Sequence, residues 1–173
     1  MPALETQFRE VMAAVCTPVS IATALDGDHP HGTTVSAFTS LSMTPPMVLV
    51  SLDRGSELLT MVRRTRRFGL NVLAASQSGL AVAFARKGRD KFEGVSWGVD
   101  HDLPRIDGVI GWLGCHTARF VPGGDHVVVL GDVEIATHCP GPPLTYHGRI
   151  FGTHRAYASS APSGGRSRSE SRQ

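Results

Sequence analysis

Short connections between strand-like segments constrain the fold of this chain more than any other feature of its sequence. Apolar, β-branched segments at residues 18–26, 32–42 and 47–53 are separated only by the polar stretch 26–32 and by a break at 43–46 that holds two adjacent prolines. A parallel pair of strands needs a crossover of a dozen or more residues. The pattern therefore predicts a mainly antiparallel barrel or sandwich decorated with helices, and it argues against a doubly wound α/β sheet.

The second half of the chain has the same character. Two long strand-like segments, residues 108–122 and 125–139, flank a tight glycine-containing loop at 123–126. A single final strand is expected over residues 143–152. The nearly unbroken apolar run at 47–53 predicts a buried strand, and residues 68–73 predict another.

Three segments have helical periodicity. Residues 4–15 carry an apolar face made of Leu4, Phe8, Val11, Met12 and Val15, with Pro18 ending the helix. A second helix is expected to start at Ser56, a preferred N-cap residue. A third is expected over residues 77–86, with Ser76 as its cap.

Length and charge indicate one soluble domain. The chain has 173 residues and a net charge of +2, and without its last fifteen residues the basic and acidic side chains number 14 each. A neutral folded part of this kind does not resemble a nucleic-acid-binding face. We expect a domain over residues 1–158 and a disordered tail rich in Ser, Arg and Gly over residues 159–173.

The cysteines indicate a reducing environment. Cys16, Cys115 and Cys139 are odd in number and form no C-x-x-C pair, which is typical of unpaired thiols in the cytoplasm. No membrane segment is expected. A zinc site built from Cys115, His116, His138 and Cys139 is disfavoured because adjacent strand residues point to opposite faces. No metal is expected.

The common nucleotide and hydrolase motifs do not occur. Gly108, Gly111 and Gly114 have the spacing G-x-x-G-x-x-G rather than G-x-G-x-x-G, and neither lysine follows a glycine as a Walker A lysine would. There is also no G-x-S-x-G and no H-E-x-x-H. These absences argue against the usual dehydrogenase, kinase, esterase and metalloprotease classes.

An ordered set of segments resembles the flavin reductase family. The stretch TVSAFTSLS at residues 34–42, the prolines at 45–46 and VSLDR at residues 50–54 resemble the flavin-binding region of that family. The resemblance continues through residues 71–73, 84–85, 90–92 and 124–126 to Tyr146, and spans roughly residues 5–157. Ser51 departs from the pattern, since members often carry cysteine there, but the position mainly offers backbone groups.

The resemblance implies a fold, an activity and partners. The family fold is an antiparallel split β-barrel that forms a homodimer with flavin near the subunit interface. The implied activity is NAD(P)H:flavin oxidoreduction by direct hydride transfer to flavin N5, supplying reduced FMN or FAD to a separate monooxygenase. The choices between FMN and FAD and between NADH and NADPH stay open.

The resemblance and the chemistry of the residues together predict two sets of contacts. Residues predicted to bind flavin are Thr34, Val35, Ser36, Ala37, Ser40, Leu41, Ser51, Asp53, Arg54, Ser56, Phe84, Ala85, Arg89, Lys91 and Phe92. Residues predicted to contact the nicotinamide nucleotide are His126, Tyr146 and Arg149. No side chain is expected to be an indispensable acid or base, because positioning is the main contribution to hydride transfer.

The residue types suit a flavin. Small Thr, Ser and Ala side chains at 34–37 let backbone groups approach the ring and pair with its polar edge. Arg54 and Ser56, at the start of a helix, could meet the phosphate together with Arg89 and Lys91. The simpler interpretation is that Ser56 only caps the helix and that His126 is a solvated loop histidine.

Two other functions stay open on the residues alone. One is a flavin-binding oxidase or monooxygenase of similar barrel architecture, and the other is a non-enzymatic barrel that holds flavin or haem. The combination of Gly124-Asp125-His126 with Tyr146 favours the reductase over the first of these, and catalytic turnover of NADH would separate the reductase from the second.

Overall fold

The structure is a computed structural model that describes residues 2–88 and 91–157. The helices are α1 (Pro2–Ala13), α2 (Glu57–Thr65) and α3 (Ser78–Ala85). The strands are β1 (Thr17–Pro18), β2 (Ser20–Asp26), β3 (His29–Val35), β4 (Phe38–Met43), β5 (Pro46–Asp53), β6 (Arg67–Val72), β7 (Trp97–Asp100), β8 (Leu103–Ile106), β9 (Gly111–Gly123), β10 (His126–His138), β11 (Leu144–His147) and β12 (Ile150–Thr153). The predicted tail, residues 159–173, lies outside the described residues.

Seven strands form one open antiparallel sheet in the order β3-β2-β6-β9-β10-β5-β4. Strands β3 and β4 are its two edges. The segment that connects them, residues 36–37, contacts β5, because the amide of Ser51 donates to the carbonyl of Ala37 at 2.9 Å. The mostly β, antiparallel architecture expected from the short connections is confirmed. It is a barrel left open along one side.

The two faces of the sheet bury different cores. One face packs on α2, whose residues Leu58, Leu59 and Val62 are fully buried. The other face packs on α3 and on the β7–β8 hairpin around Trp112. Alternate residues of a strand point to opposite faces, so β2 contributes Ala22 to the first core and its neighbour Ile21 to the second. Both cores therefore fix the same strands from opposite sides.

The segment 32–42, expected to be a single return strand, is two strands. β3 ends at Val35, β4 begins at Phe38, and the two lie at opposite edges of the sheet. Ser36 and Ala37 carry the chain across the opening of the barrel. The alternating pattern continues through them, so the sequence shows no break, and only the tertiary fold separates the two strands.

Two hairpin assignments also differ from expectation. The polar stretch 26–32 is mostly strand, because the turn occupies only Gly27 and Asp28 and β3 starts at His29. The expected single strand 143–152 is the hairpin β11–β12, whose turn places Gly148 and Arg149 at φ of 57° and 64°.

The β7–β8 hairpin was not predicted from the sequence. It turns at His101 and Asp102, with φ of 50° and 59°. Two successive positive φ values are typical of type I′ hairpin turns, which usually contain Asn or Gly. The His-Asp pair carries no such signal.

The helices are close to their expected positions, and one of the two predicted caps is confirmed while the other is not. The hydroxyl of Ser56 accepts the amide of Leu59 at 3.1 Å, which confirms the predicted cap of α2. The predicted cap at Ser76 is wrong, because a 3₁₀ turn occupies residues 75–77 and the carboxamide oxygen of Gln77 accepts the amide of Ala74 at 3.0 Å.

The first helix ends at Ala13, five residues before Pro18, and its apolar face is exposed rather than packed on the sheet. Leu4, Phe8 and Val11 are each more than 60% exposed. An amphipathic pattern alone does not say what the apolar side covers. None of the helices in the described ranges is long and apolar enough to span a bilayer.

Candidate functional site

Ten residues line a cleft of about 230 Å³ at the opening of the barrel. We call it the first cleft, and its lining residues are Thr33, Thr34, Val35, Ser36, Ala37, Ser51, Leu52, Asp53, Ser56 and His126. Seven of them belong to the predicted flavin-binding set and His126 to the predicted nicotinamide-binding set. Residues from three distant parts of the sequence thus meet in one place.

The ends of three strands bring these residues together. β3 ends at Val35 and β5 ends at Asp53, which lies opposite His126 at the start of β10. The amide of Arg54 donates to the carbonyl of Asp125 at 3.0 Å and fixes the end of β5 to the turn before β10. Because strand ends release backbone groups from the hydrogen-bonding ladder, this rim can offer amides and carbonyls to a ligand.

The start of α2 forms one end of the first cleft. Asp53 accepts the amide of Gly55 at 2.7 Å, which shapes the short turn into the helix. Ser56 lines the cleft and caps the helix, whereas Arg54, two residues earlier in the chain, is exposed and does not line the cleft. A helix N-terminus carries partial positive charge and unpaired amides, which suit a phosphate.

A histidine hydrogen-bonded to a carboxylate lies at the rim of the cleft. The Nδ1 atom of His126 lies 2.7 Å from the carboxylate of Asp125, whose side chain is 89% exposed. The hydrogen bond from His126 holds the pKa of Asp125 below its ordinary value. The pair orients the imidazole, with its Nε2 atom available to a ligand.

A second cleft, of about 510 Å³, adjoins the first along β3. Thr34 and Ser36 line both, and the hydroxyl of Thr34 donates to the carbonyl of Ala81 in α3 at 2.7 Å. Tyr146 and Arg149 line this second cleft. The second cleft is thus lined by residues of β3, of α3 and of the β11–β12 hairpin, which carries both Tyr146 and Arg149.

The guanidinium of Arg149 is held by α1. It donates to a carboxylate oxygen of Glu10 at 2.6 Å, and the hydrogen bond lowers the pKa of Glu10. The amide of Gly148 donates to the carbonyl of Ala13 at 2.7 Å. The predicted nicotinamide contacts are therefore divided, with His126 at the first cleft and Tyr146 and Arg149 at the second.

Several predicted flavin contacts lie elsewhere. Ser40 and Leu41 lie on β4 beyond the first cleft. Ala85 lines the second cleft. The ring of Phe84 is fully buried in the second core, edge-on to Phe92 with ring centres 5.0 Å apart.

Lys91, one of the two phosphate ligands predicted after α3, makes hydrogen bonds within the protein. The ammonium of Lys91 donates to the carbonyls of Gly32 and Phe84, both at 3.0 Å, so it fastens α3 to β3. Arg89 lies outside the described residues. The first cleft thus contains seven of the predicted flavin-binding residues, and Lys91 contacts β3 next to it, through the carbonyl of Gly32.

Sequence reasoning missed two residues of the first cleft, Thr33 and Leu52, and five of the second, Val19, Ala81, Val82, Arg86 and Phe151. Thr33 and Leu52 sit next to predicted residues in the strands, and Leu52 is a buried residue of the first core, so its apolar side chain gave no sign of a site. The second-cleft residues carry no motif, because only packing of α3 against the last hairpin creates that surface. In the described part of the chain, no group of three or more His, Cys, Asp or Glu side chains could hold a metal ion.

Comparisons with known proteins agree with this geometry. Residues 12–154 match the family described as flavin reductase like domain. The reductase component of 4-nitrophenol 4-monooxygenase/4-nitrocatechol 2-monooxygenase from Rhodococcus opacus is 36% identical, over 87% of this chain and 82% of the relative. The NADH-dependent FMN reductase SmoA from Agrobacterium fabrum is 35% identical, over 84% of this chain and 83% of the relative.

A solved structure agrees equally well. The NADH:FAD oxidoreductase SgcE6 of Streptomyces globisporus, in complex with NAD and FAD fragments, superposes with a TM-score of 0.83 at 32% identity. The match covers 93% of this chain and 97% of that chain. The family that the motifs suggested is therefore confirmed: the chain belongs to the flavin reductase family.

Proposed function

We propose that this protein is an NAD(P)H:flavin oxidoreductase that supplies reduced FMN or FAD to a separate flavin-dependent monooxygenase. When bound, the flavin supplies the hydride acceptor N5, and the nicotinamide supplies the hydride. The observation that carries the proposal is the first cleft, where residues 33–37, residues 51–53 and His126 converge. The relatives named as reductase components support the division of labour with an oxygenase.

The first cleft fits an isoalloxazine ring. Most of its lining residues are small (Thr, Ser and Ala), and Ser36 and Ala37 lie outside both flanking strands, so their backbone can face a ligand edge. A flat ring with a polar pyrimidine edge needs close approach and hydrogen-bonding groups rather than bulky contacts. The hydroxyls of Ser36 and Ser51 add donors and acceptors at the same rim.

The start of α2 fits the flavin phosphate. The first turn of α2 follows its cap, Ser56, and the exposed Arg54 comes two residues before Ser56 in the chain. Cation, hydroxyl and helix dipole act in the same direction on an anion. A flavin with its ring against residues 34–37 would thus be anchored at both ends.

His126 is the residue best placed to guide the nicotinamide nucleotide. It borders the first cleft from the exposed side, oriented by Asp125. Hydride transfer needs two rings stacked at van der Waals distance, which a positioned side chain promotes without exchanging a proton. Tyr146 and Arg149 would meet a more remote part of the same nucleotide through the second cleft.

The exposed face of α1 fits a second copy of this chain. Five apolar residues, Leu4, Phe8, Val11, Met12 and Val15, are between 44% and 69% exposed along this helix and its end. An apolar stripe of that length on a soluble protein marks an interaction surface. We take the assembly to be a homodimer in the reducing cytoplasm, where the three free cysteines stay reduced. Equilibrium sedimentation should give a dimer, and Phe8→Glu should give a monomer.

An anaerobic mixture of the purified protein, NADH or NADPH, and excess flavin tests the activity. The proposal expects many equivalents of nicotinamide to be oxidised per protein, with matching loss of flavin absorbance. A bound flavin that is never reduced beyond one equivalent would instead indicate a carrier, and no flavin binding at all would contradict the site.

A further inference from the structure

The second cleft has the composition of a site for part of a dinucleotide. Its described lining contains two basic residues, Arg86 and Arg149, and neither Asp nor Glu. The other lining residues are small, apolar or aromatic, and the ring centres of Tyr146 and Phe151 lie 5.1 Å apart. A phosphate needs cationic donors, and a base or sugar packs on apolar and aromatic side chains. Arg149 is therefore placed to meet a phosphate.

The backbone at Arg149 has a conformation that a smaller residue adopts more easily. Its φ is 64°, directly after Gly148 at 57°, in the turn between β11 and β12. This left-handed conformation is unfavourable for a residue with a Cβ atom, and Gly or Asn usually occupies such a turn. The turn itself gives no reason for a long cationic side chain here, so the reason lies in what the guanidinium contacts.

Glu10 of α1 holds that guanidinium along one edge. The two terminal nitrogens of Arg149 donate to the two carboxylate oxygens of Glu10 at 2.6 and 3.4 Å. A guanidinium has five N–H groups, so this pair leaves the rest for another acceptor. The amide of Gly148 also donates to the carbonyl of Ala13 at 2.7 Å. The same helix thus fixes both the side chain and the backbone of this turn.

The ion pair adds little to the stability of the folded chain. The side chains of Arg149 and Glu10 are 58% and 61% exposed, and water screens an exposed pair. The pair does, however, restrict a long and flexible side chain to one position. An arginine that is already restricted loses less conformational freedom when a ligand binds, and the ligand therefore binds more tightly.

Glu10 and the apolar face of α1 lie on opposite sides of the helix. Glu10 is two residues from Phe8 and two from Met12, which places it about 160° around the helix axis from each. A second copy of the chain can therefore cover the apolar face while Glu10 stays paired with the β11–β12 hairpin.

We infer that Glu10 is a positioning residue for the nicotinamide nucleotide: it holds the guanidinium of Arg149 in the second cleft, where a phosphate in the adenylate half of NAD(P)H binds. The inference rests on the proposed function, because it takes the second cleft to hold the part of the nucleotide that is remote from the hydride. Glu10 acts through Arg149, so it affects the affinity for the nucleotide and leaves the hydride-transfer step unchanged.

Steady-state kinetics at saturating flavin with two hydride donors tests the inference. One donor is NADH or NADPH, whichever the wild type uses better, and the other is reduced nicotinamide mononucleotide, which has the same reacting ring and lacks the adenylate half. Glu10→Ala should raise the KM for the dinucleotide by ~5-fold and change kcat by less than ~2-fold, because only the ordering of one side chain is lost. The KM for the mononucleotide should be unchanged. Glu10→Asp, which keeps the charge, should recover part of the loss.

Glu5→Ala is the matched control, since Glu5 is an exposed carboxylate in the first turn of the same helix. It should leave the KM for both donors at the wild-type value. Arg149→Ala should raise the KM for the dinucleotide by ~10-fold, through loss of a charge-assisted hydrogen bond. Adding Glu10→Ala to Arg149→Ala should raise it no further, because no guanidinium is left to position.

An unchanged KM for the dinucleotide in Glu10→Ala, even with a lower Tm, would overturn the inference by reducing the pair to a structural contact. A lowered KM would overturn it by showing that Glu10 competes with the nucleotide for Arg149. Equal increases for both donors, or additive effects in the double variant, would also overturn it. All of these results leave the reductase function standing, whereas reduction of neither flavin by the wild type would remove the proposed function itself.

Discussion

Two Asp-His pairs in this protein have nearly the same local geometry and very different surroundings. Asp100 and His101 lie 2.6 Å apart at the β7–β8 turn, and Asp125 and His126 lie 2.7 Å apart at the β9–β10 turn. Both pairs join adjacent residues at the tip of a hairpin. Only the second borders the first cleft; Asp100 is tied instead to Arg105 at 2.8 Å.

The comparison teaches that position in the fold, and not the pair itself, gives a histidine its function. His126 lies where three strand ends meet, next to residues 33–37. His101 lies on a small hairpin that covers Trp112, with 6.5 Å between the two ring centres. One hairpin completes a binding site and the other closes the core, so variants in the two should have separable effects.

The largest effect is expected on stability, from Asn71→Ala. Asn71 is fully buried and fastens the β7–β8 hairpin to the sheet, accepting the amide of Ile106 at 2.8 Å with its amide group 3.3 Å from the carbonyl of Pro104. Losing these bonds leaves buried backbone groups unpaired and should cost about 2–4 kcal/mol. Denaturant unfolding measures it. Gln77→Ala, a half-buried control, should cost ~1 kcal/mol; an equal loss for both would refute the role of Asn71.

The next effect separates the two histidines. His126→Ala should raise the KM for NADH by about 10-fold and lower kcat by less than ~3-fold, because a positioning contact is lost and no proton transfer depends on it. His101→Ala should leave both constants within ~2-fold. Steady-state kinetics with saturating flavin measures both. A loss of kcat by orders of magnitude with unchanged KM in His126→Ala would show that His126 takes part in the chemical step.

The smallest effect concerns the carboxylates and pH. Hydrogen bonds from Arg105 and His101 lower the pKa of Asp100. A carboxyl group whose pKa is lowered by folding adds stability above its unfolded pKa and loses it as pH falls through the folded pKa. Asp100→Asn should therefore lower Tm slightly at pH 7, and the difference from wild type should begin to shrink at about pH 4 and vanish only once the pH has fallen through the lowered pKa of Asp100.

Asp125→Asn gives the matching test at the other hairpin. Its side chain is 89% exposed, so Tm should hardly change. The KM for NADH should rise instead, because His126 loses its oriented partner. A larger Tm change for Asp125→Asn than for Asp100→Asn would reverse the comparison.

Much of the fold was predictable because its signals are local. Short connections required antiparallel pairing, and the cap at Ser56 followed from residue type alone. The break at Ser36 and Ala37 was not predictable, because alternation continues through residues that leave one sheet edge for the other. The exposure of the apolar face of α1 was not predictable either, because periodicity shows that a helix has an apolar side and not what covers that side.

The candidate site also has a part that was predictable from the sequence and a part that was not. The segments 34–37 and 51–56 carry a recognisable pattern of small polar residues, and the structure brings them together with His126. Lys91 was predicted from its charge, yet its ammonium is engaged by two carbonyls, which only the packing of α3 determines. A cavity of about 660 Å³ between β3 and α2 has no sequence signal at all, because it forms between a strand and a helix whose residues each look like ordinary surface or core.

The most direct test is a crystal structure of the protein with flavin bound. The isoalloxazine should lie against residues 33–37 and 51–53, with its phosphate at the start of α2 and His126 beside the exposed ring face. A flavin ring bound anywhere else on the chain, with the first cleft left to solvent, would contradict the assignment.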